Sequence, residues 1–199
     1  MQIYFIRHAQ DDDNFIGGWS DIDLTNEGKN QADILAQYFE KNSSLLKIKT
    51  IITSDLRRAV NTIQPTANIL NVSLIKDSAW RGLNNGKISG MLSSEAKQTY
   101  PNTYLYDMEM DQHYPDGESP REFYNRVKSS FSKLLKQVVN TKENIIVLTH
   151  GSNINILYSL LKGEVWDNKK KTRSILATSI IEIDVDDNGQ TKLKRTFFC

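Results

Sequence analysis

The sequence predicts an α/β fold, a three-layer sandwich built around a mostly parallel mixed sheet. Three observations predict it. Short apolar runs alternate with amphipathic helical patterns, which is typical of parallel strands joined by crossover helices. The run at residues 144–149 is almost entirely apolar, as expected for a strand that is buried on both faces. Two strand-like runs then flank Asp187-Asn188-Gly189, a hairpin signal that adds antiparallel strands to the sheet.

The first half of the chain shows two strand–helix pairs. Residues 2–6 predict a first buried strand, and Thr25 is a suitable N-cap for the helix that follows. Residues 50–53 predict a second strand, and Pro65 should bend or interrupt the helix after it, because proline lacks an N–H group. The buried stripes of these helices are Ala32, Leu35, Ala36 and Phe39 in the first, and Leu56, Ala59, Ile63, Ala67 and Leu70 in the second.

The second half contains two more helices and the closing hairpin. Residues 119–122, Ser-Pro-Arg-Glu, have the pattern of a capping box with proline at the first helical position, so a helix begins there. Gly151 begins another helix directly after the strand at 144–149. The hairpin strands are expected within residues 178–185 and 191–198.

Between these halves, residues 71–117 show poor periodicity, and only a short helix is expected near residues 93–100. A long irregular segment in a compact domain usually forms a lid or a binding wall. With 199 residues and no internal repeat, the chain is predicted to be one domain, 1–199, with a lid or substrate insertion at about 71–117.

Composition and charge exclude several classes of protein. The chain carries 25 Lys and Arg against 24 Asp and Glu, whereas a dedicated nucleic-acid-binding protein would show a basic excess. Hydrophobic residues make up 39% of the chain, which is too many for a disordered protein. Cys199 is the only cysteine, so neither an intrachain disulfide nor a cysteine-based metal cluster is expected.

The sequence also lacks the apolar runs of membrane and secreted proteins. The apolar N-terminus ends at Arg7, which leaves it too short for the core of a signal peptide. No run approaches the ~18 apolar residues that a membrane span needs. We therefore expect a soluble, cytoplasmic protein with no membrane partner.

Two of the predicted strands end next to a histidine. The first is followed by Arg7 and His8, and the strand at 144–149 is followed by His150. Because ligands bind beyond the carboxyl ends of strands in open α/β sheets, both histidines are expected at one crevice. Arg58, just after the second strand, can reach the same edge, where its planar guanidinium suits a phosphate. Singly, each residue would more often be structural; together they predict a pocket for a dianion.

These residues resemble a known family. Arg7-His8-Ala9-Gln10 is similar to the Arg-His-Gly motif of the histidine phosphatase superfamily, in its phosphoglycerate mutase-like branch. Further matches follow in family order over residues 3 to about 155. They are Asn14; Gly18, Trp19, Asp21, Leu24, Thr25, Gly28, Gln31 and Ala32; Ser54, Asp55, Leu56, Arg58, Ala59 and Thr62; Gly117, Glu118 and Ser119; Thr149, His150 and Gly151.

The resemblance implies a phosphoglycerate mutase-like fold and a two-step phosphoryl transfer. His8 would attack phosphorus, giving a phosphohistidine that water then hydrolyses. Arg7, Arg58 and His150 would hold the phosphoryl oxygens, and Asn14 matches a position that helps to bind the phosphate. The implied enzyme is a metal-independent histidine acid phosphatase-type hydrolase. It needs no cofactor, and its partner is a small phosphorylated substrate.

The sequence departs from the family pattern at three positions. Ala9 replaces the usual glycine, and Asp11 stands where a small hydroxyl residue is common. The larger departure is Gly82, which occupies the position of a glutamate that protonates the leaving oxygen. A positioned general acid is worth about 10²–10⁴-fold in rate. The phosphatase is therefore expected to be weakened, or to use another carboxyl group such as Asp11, Asp21 or Glu118.

Two alternative functions stay open. A phosphoglycerate mutase-type phosphotransferase would use the same pocket, but it needs a donor that keeps His8 phosphorylated. A non-catalytic relative that binds phosphorylated ligands is the other alternative, and Gly82 is the observation that favours it.

The remaining candidates are expected to be structural. His113 is interpreted as a surface residue of the lid, and the lysine-rich run at 169–173 as a solvated surface. Five aromatic residues are expected to pack rather than to bind substrate: Trp80, Tyr100, Tyr104, Tyr106 and Tyr114. No grouping of His, Asp and Glu has metal-ligand spacing, so no metal site is expected.

Overall fold

A central sheet organises the chain in the computed structural model, which describes residues 1–170 and 174–198. Its strands within these ranges are β1 (Gln2–Arg7), β2 (Ile48–Thr53), β3 (Leu74–Lys76), β4 (Asn144–Thr149), β5 (Ile180–Val185) and β6 (Thr191–Phe197). They lie in the order β3-β2-β4-β1-β5-β6. The first four strands run parallel, β5 is antiparallel to β1, and β6 is antiparallel to β5. The predicted mostly parallel mixed sheet is confirmed.

Helices cover both faces of this sheet. They are α1 (Asn26–Lys41), α2 (Ser43–Leu46), α3 (Arg57–Leu70), α4 (Ser93–Thr99), α5 (Pro120–Thr141) and α6 (Gly151–Lys162). Side chains alternate along β1, so that Tyr4 and Ile6 share a buried cluster with α1 and α3. Ile3 and Phe5 share the opposite cluster with α5 and α6. The molecule is thus the predicted three-layer sandwich.

The predicted helix starts are confirmed by their hydrogen bonds. The Thr25 side chain accepts from the backbone N–H of Gly28 and caps α1. Ser119 and Glu122 each accept from the other's backbone N–H, which forms the capping box of α5. None of the helices in the described ranges is long and apolar enough to cross a membrane.

Pro65 does not interrupt its helix, contrary to one of the two expected outcomes. It lies inside α3, which continues to Leu70. A proline at position 65 removes the hydrogen bond to the carbonyl group of Asn61, four residues earlier. Asn61 is exposed, so water can bind this carbonyl group and the loss is tolerated.

The segment 71–117 contains one element that its sequence did not predict. β3 pairs in parallel with β2 at the edge of the sheet, so the first residues of the segment belong to the sheet. β3 has three residues and only Leu74 is half-buried, which explains the missing periodicity. The rest contains α4, as expected, and two single-turn 3₁₀ helices, Ser78–Trp80 and Gly86–Ile88.

Candidate active site

A cavity of about 470 Å³ opens at the carboxyl edge of the sheet. Arg7 is the last residue of β1, His8 follows it, His150 follows β4, and Arg58 lies in the first turn of α3, after β2. All four line the cavity, and the two histidine rings are 5.0 Å apart between centroids. The structure therefore brings together these four predicted residues, which we call the floor of the pocket.

His8 has the protonation state of a nucleophile. Its Nδ1 lies 2.7 Å from the carbonyl oxygen of Ala9, which can only accept a hydrogen bond. Nδ1 therefore carries the hydrogen, and the lone pair is on Nε2. The pKa of His8 is lowered to about 4, mainly by burial, which Asp11 opposes and to which Arg58 and Arg7 add. The ring is therefore neutral at pH 7.

His150 is the buried N-cap residue of α6. Its Nε2 lies 2.9 Å from Oγ of Ser54. Burial lowers its pKa well below the usual value, and His8 adds to this effect. The N-terminus of α6 also contributes Gly151 and Ser152 to the cavity lining, where helix N–H groups favour an anion.

Two arginines supply the positive charge of the floor: Arg58, which is buried, and Arg7, which is half-buried. Arg58 is 2% exposed and donates to the carbonyl oxygens of Gly18, at 2.7 Å, and Ser20, at 3.3 Å. Arg7 donates to the carbonyl oxygen of Ile175. In the part of the chain that the structure describes, the Nε atoms of both arginines are buried and make no hydrogen bond, although Nε of Arg58 is paired with the carboxylate of Asp11 at 3.3 Å. An oxyanion such as phosphate is the kind of group that such donors bind.

Three carboxylates could replace the missing general acid, and Asp11 is the one that lies closest to the floor. Its oxygens lie 3.3 Å from Nε of Arg58 and 4.0 Å from Nδ1 of His8. Glu118 instead pairs with Arg126 at 2.5 Å, and Asp21 pairs with exposed Arg57. Neither Glu118 nor Asp21 lines the cavity, so the structure leaves Asp11 as the one of the three at the site.

Asn14 is the predicted site residue that the structure does not bring to the floor. It is exposed and absent from the cavity lining. Its Nδ2 donates to Oδ1 of Asp12 at 2.8 Å, and its backbone N–H donates to the same oxygen. This local turn holds the side chain against Asp12, which lines the cavity, so Asn14 lies beside the lining and not in it.

Gly82 lies in the wall of the pocket, where it faces His150. Its carbonyl oxygen accepts from Nε1 of Trp19 at 2.9 Å and from Nη2 of Arg126 at 2.8 Å. A Cβ built on Gly82 would lie 3.2 Å from Cγ of His150. Position 82 therefore faces the site, and in this chain it presents no side chain to it.

Residues to which the sequence assigned no role in the site hold the backbone around Gly82. Arg126 donates to the carbonyl oxygens of Ala79, Arg81 and Gly82. The guanidinium of Arg81 lies 4.6 Å from the centre of the Trp19 ring. Trp19 belongs to a quoted motif and could have been suspected, whereas Arg126 is one of several charged residues on the polar face of α5 and carries no local signal.

The predicted aromatic residues include two that pack in the core and one that lines the cavity. Trp80 and Tyr114 are buried in the cluster beneath the sheet and confirm the packing interpretation. Tyr106 instead lines the cavity, with Gly82, Leu83 and Asn85, and these four residues are called the wall below.

The other predicted surface groups lie away from the pocket. His113 is exposed, with Nδ1 3.2 Å from the carbonyl oxygen of Gly117. Lys169 and Lys170 are exposed, whereas Lys171, Thr172 and Arg173 of the same run, and Cys199, lie outside the described residues. Within the described ranges, no three His, Cys, Asp or Glu side chains are grouped so as to hold a metal ion.

Comparisons with known proteins agree with this geometry. Phosphoserine phosphatase 1 of Hydrogenobacter thermophilus is 29% identical over 168 residues, covering 82% of this chain and 77% of that protein. A probable phosphatase of Schizosaccharomyces pombe is 30% identical over 203 residues, covering 95% and 89%. A 2,3-bisphosphoglycerate-dependent phosphoglycerate mutase of Bartonella bacilliformis is 26% identical over 169 residues, covering 81% of each chain.

Solved structures share the fold. YhfR of Bacillus stearothermophilus superposes with a TM-score of 0.82 at 21% identity, covering 96% of this chain and 94% of that one. A mycobacterial glucosyl-3-phosphoglycerate phosphatase in complex with VO3 gives a TM-score of 0.79 at 19% identity, covering 98% and 97%. The sequence model of the histidine phosphatase superfamily (branch 1) matches residues 3–196. With nearly its whole length matched and the expected residues at one sheet edge, the chain belongs to this superfamily.

Proposed function

We propose that this protein is a phosphatase that hydrolyses small phosphomonoesters through a phosphohistidine on His8. The observation that carries the proposal is the state of His8: a buried, neutral ring with its Nε2 lone pair unused, beside two guanidinium groups. A nucleophile of this kind needs no base to remove a proton before attack.

In the first step, Nε2 of His8 attacks phosphorus and the bond from phosphorus to the ester oxygen breaks. Arg7, Arg58 and His150 hold the equatorial oxygens and stabilise their charge. In the second step, a water molecule attacks the phosphohistidine, the N–P bond breaks, and free phosphate leaves with His8 regenerated. The two guanidinium groups supply the positive charge that both steps need.

Asp11 suits a positioning role better than that of a general acid. In an in-line displacement the leaving oxygen lies across phosphorus from Nε2. Asp11 instead lies near the Nδ1 edge of His8 and beside Nε of Arg58. Because Gly82 has no side chain that could donate a proton, the leaving oxygen takes its proton from water. For leaving groups that bind equally well, bond cleavage is therefore faster when the leaving group is stable as an anion, as in aryl phosphates.

The names of the relatives support a hydrolase. One is called a phosphoserine phosphatase and another a probable phosphatase, although phosphoglycerate mutases are also among them. The mutase alternative requires an acid at the leaving oxygen in both directions, and the glycine at position 82 handicaps it.

The deciding experiment traps the intermediate. The protein is incubated with ³²P-labelled phenyl phosphate, quenched in alkali, and compared with His8→Asn and with His113→Asn, a matched control at an exposed histidine away from the pocket. We expect alkali-stable, acid-labile label on wild type and on His113→Asn, and none on His8→Asn. Turnover should fall at least about 10³-fold in His8→Asn alone.

Three outcomes would contradict the proposal. Turnover by His8→Asn within tenfold of wild type would remove His8 as the nucleophile. Formation of 2-phosphoglycerate rather than free phosphate from 3-phosphoglycerate would indicate the mutase. Phosphate binding without release of phosphate from any ester would indicate the non-catalytic relative.

A further inference from the structure

A second, smaller cavity adjoins the phosphate pocket. Its volume is about 100 Å³, and it shares Tyr106, Ser152 and Asn155 with the lining of the larger one. Trp166, Asp167 and Asn168 line its far side. We call this cavity the annex. It is large enough for several heavy atoms, since one water molecule needs about 10–15 Å³ in the same measure.

Asn168 lies on the far side of the annex and shapes it. It is 1% exposed, and its Nδ2 donates to the carbonyl oxygens of Leu105 and Met108. Because carbonyl groups only accept, these two bonds fix which end of the amide is nitrogen. Oδ1 is then closed to solvent and has no hydrogen-bond partner in residues 1–170 and 174–198, so it offers no contact to a ligand in the annex.

Ser152 and Asn155 bring polar groups to the junction of the two cavities. They lie three residues apart at the start of α6, so their side chains share one face of the helix. Both are half-buried, and neither side chain has a hydrogen bond within the described part of the chain. A hydroxyl and an amide can each donate and accept, which suits alcohol groups of a ligand.

The charge of the annex disfavours a second anion. No Lys or Arg is among its described lining residues, and Asp167 adds a carboxylate that is partly used by the backbone N–H of Lys169. The floor, in contrast, holds two guanidinium groups within the larger cavity. One phosphate therefore has a cationic site, and a second phosphate or a carboxylate on the substrate would meet only neutral and acidic groups among the annex residues that the structure describes.

We propose that the annex binds the leaving group, and that it selects phosphate esters of neutral polyols or sugars over esters without hydroxyl groups or with a second anion. This proposal rests on the phosphatase activity proposed above and names its substrate class. Hydroxyl groups of the leaving group exchange hydrogen bonds with Ser152 and Asn155, while the phosphate stays on the floor.

The test compares three esters with a similar three-carbon skeleton: glycerol 3-phosphate, propyl phosphate and 3-phosphoglycerate. The first two differ only in two hydroxyl groups, so the ratio of their kcat/KM values largely cancels the phosphoryl-transfer chemistry. We expect this ratio to be at least about tenfold for the wild type, which corresponds to one or two net hydrogen bonds. We expect 3-phosphoglycerate to be at least about tenfold poorer than glycerol 3-phosphate.

Variants locate the preference in the annex. Asn155→Ala should bring the glycerol-to-propyl ratio close to one, whereas Asn140→Ala, at an exposed asparagine on α5, should leave it at the wild-type value. Asn155→Ala therefore decides the question.

A wild-type ratio near one, or a ratio that survives in Asn155→Ala, would show that the annex holds water only and would overturn the proposal. Equal or better turnover of 3-phosphoglycerate would overturn the exclusion of a second anion. If no ester is turned over at all, the phosphatase proposal fails by itself. The annex proposal is then tested by calorimetry, which measures the dissociation constants of the intact esters. Equal constants for glycerol 3-phosphate and propyl phosphate overturn it.

Discussion

The floor and the wall of the pocket are built in different ways. Each floor residue, Arg7, His8, Arg58 and His150, lies at the end of a strand or in the first turn of a helix. The wall lies in the irregular segment after β3, and its residue Gly82 is held through the backbone carbonyl oxygen. The difference teaches that the regular elements place the reacting groups, while the wall can change its side chains and with them the choice of leaving group.

The largest expected effect separates the two neighbouring arginines of α3. Arg58→Lys replaces a buried planar fork by a point charge that cannot keep both carbonyl contacts and hold a phosphate. We expect kcat to fall roughly 10²–10³-fold, as for loss of one donor at a transition-state anion. Arg57→Lys, at the exposed partner of Asp21, should stay within about twofold. Steady-state kinetics on phenyl phosphate measure kcat of both variants. Equal losses would show that Arg58 has no special role at the floor.

The second prediction concerns the stability of the floor against acid. Folding lowers the pKa of His8 to about 4 and also lowers that of His150, so between pH 6.5 and 4.5 only the unfolded chain binds these protons. Stability from these groups is therefore present above pH 6.5 and is lost as the pH falls. We expect the free energy of unfolding to drop by roughly 2 kcal/mol from His8 over this range.

Urea unfolding at pH 7.5, 5.5 and 4.5 measures this effect. His8→Asn should have a shallower dependence on pH than the wild type, and His113→Asn should follow the wild type. Parallel curves for the wild type and His8→Asn would show that His8 is not held neutral in the fold.

The third prediction concerns the wall at position 82. Gly82→Glu offers a carboxyl group to the leaving oxygen and should raise kcat/KM for propyl phosphate by about tenfold, at the lower end of what an acid supplies, because its Cβ also presses on His150. Phenyl phosphate should gain little. Gly82→Gln and Gly82→Ala carry the same crowding without the acid and should show no gain. An unchanged rate on propyl phosphate in Gly82→Glu would show that position 82 is not the acid position in this chain.

The smallest effect tests the connection between wall and floor. Arg81 and Asp55 form two hydrogen bonds of 2.6 Å that tie the wall segment to the loop after β2. Both side chains are 27% exposed, so Asp55→Asn should cost only about 1 kcal/mol in the free energy of unfolding. Asp116→Asn, at a more exposed pair with Lys87, should cost less. Urea unfolding distinguishes them; equal losses would show that the Arg81–Asp55 pair has no special role.

Local signals in the sequence predicted the floor. Apolar runs marked β1 and β4, and the residue after each run is by necessity at the carboxyl edge of the sheet, so His8 and His150 could be placed together. The capping box at Ser119 and the N-cap at Thr25 likewise depend only on neighbouring residues. Predictions of this kind need no knowledge of distant contacts.

What the sequence could not predict depends on long-range contacts. β3 is recognised only by its pairing with β2, since its three residues show no pattern. The role of Arg126 depends on three carbonyl groups more than forty residues away. Asn14 is a third case: the family resemblance predicts that it helps to bind phosphate, and a hydrogen bond to Asp12, two positions away, holds it beside the lining of the cavity.

The contacts of Gly82 bear on how this site changes over evolutionary time. Trp19 and Arg126 donate hydrogen bonds to its carbonyl oxygen, a group that every amino acid has, so these contacts hold the backbone whichever residue occupies position 82. A glycine codon (GGA or GGG) is one nucleotide from a glutamate codon. Under the function proposed above, a lineage with this fold can therefore gain or lose a proton donor in one mutation, which requires only a shift of a few tenths of an ångström between the new Cβ and the His150 ring.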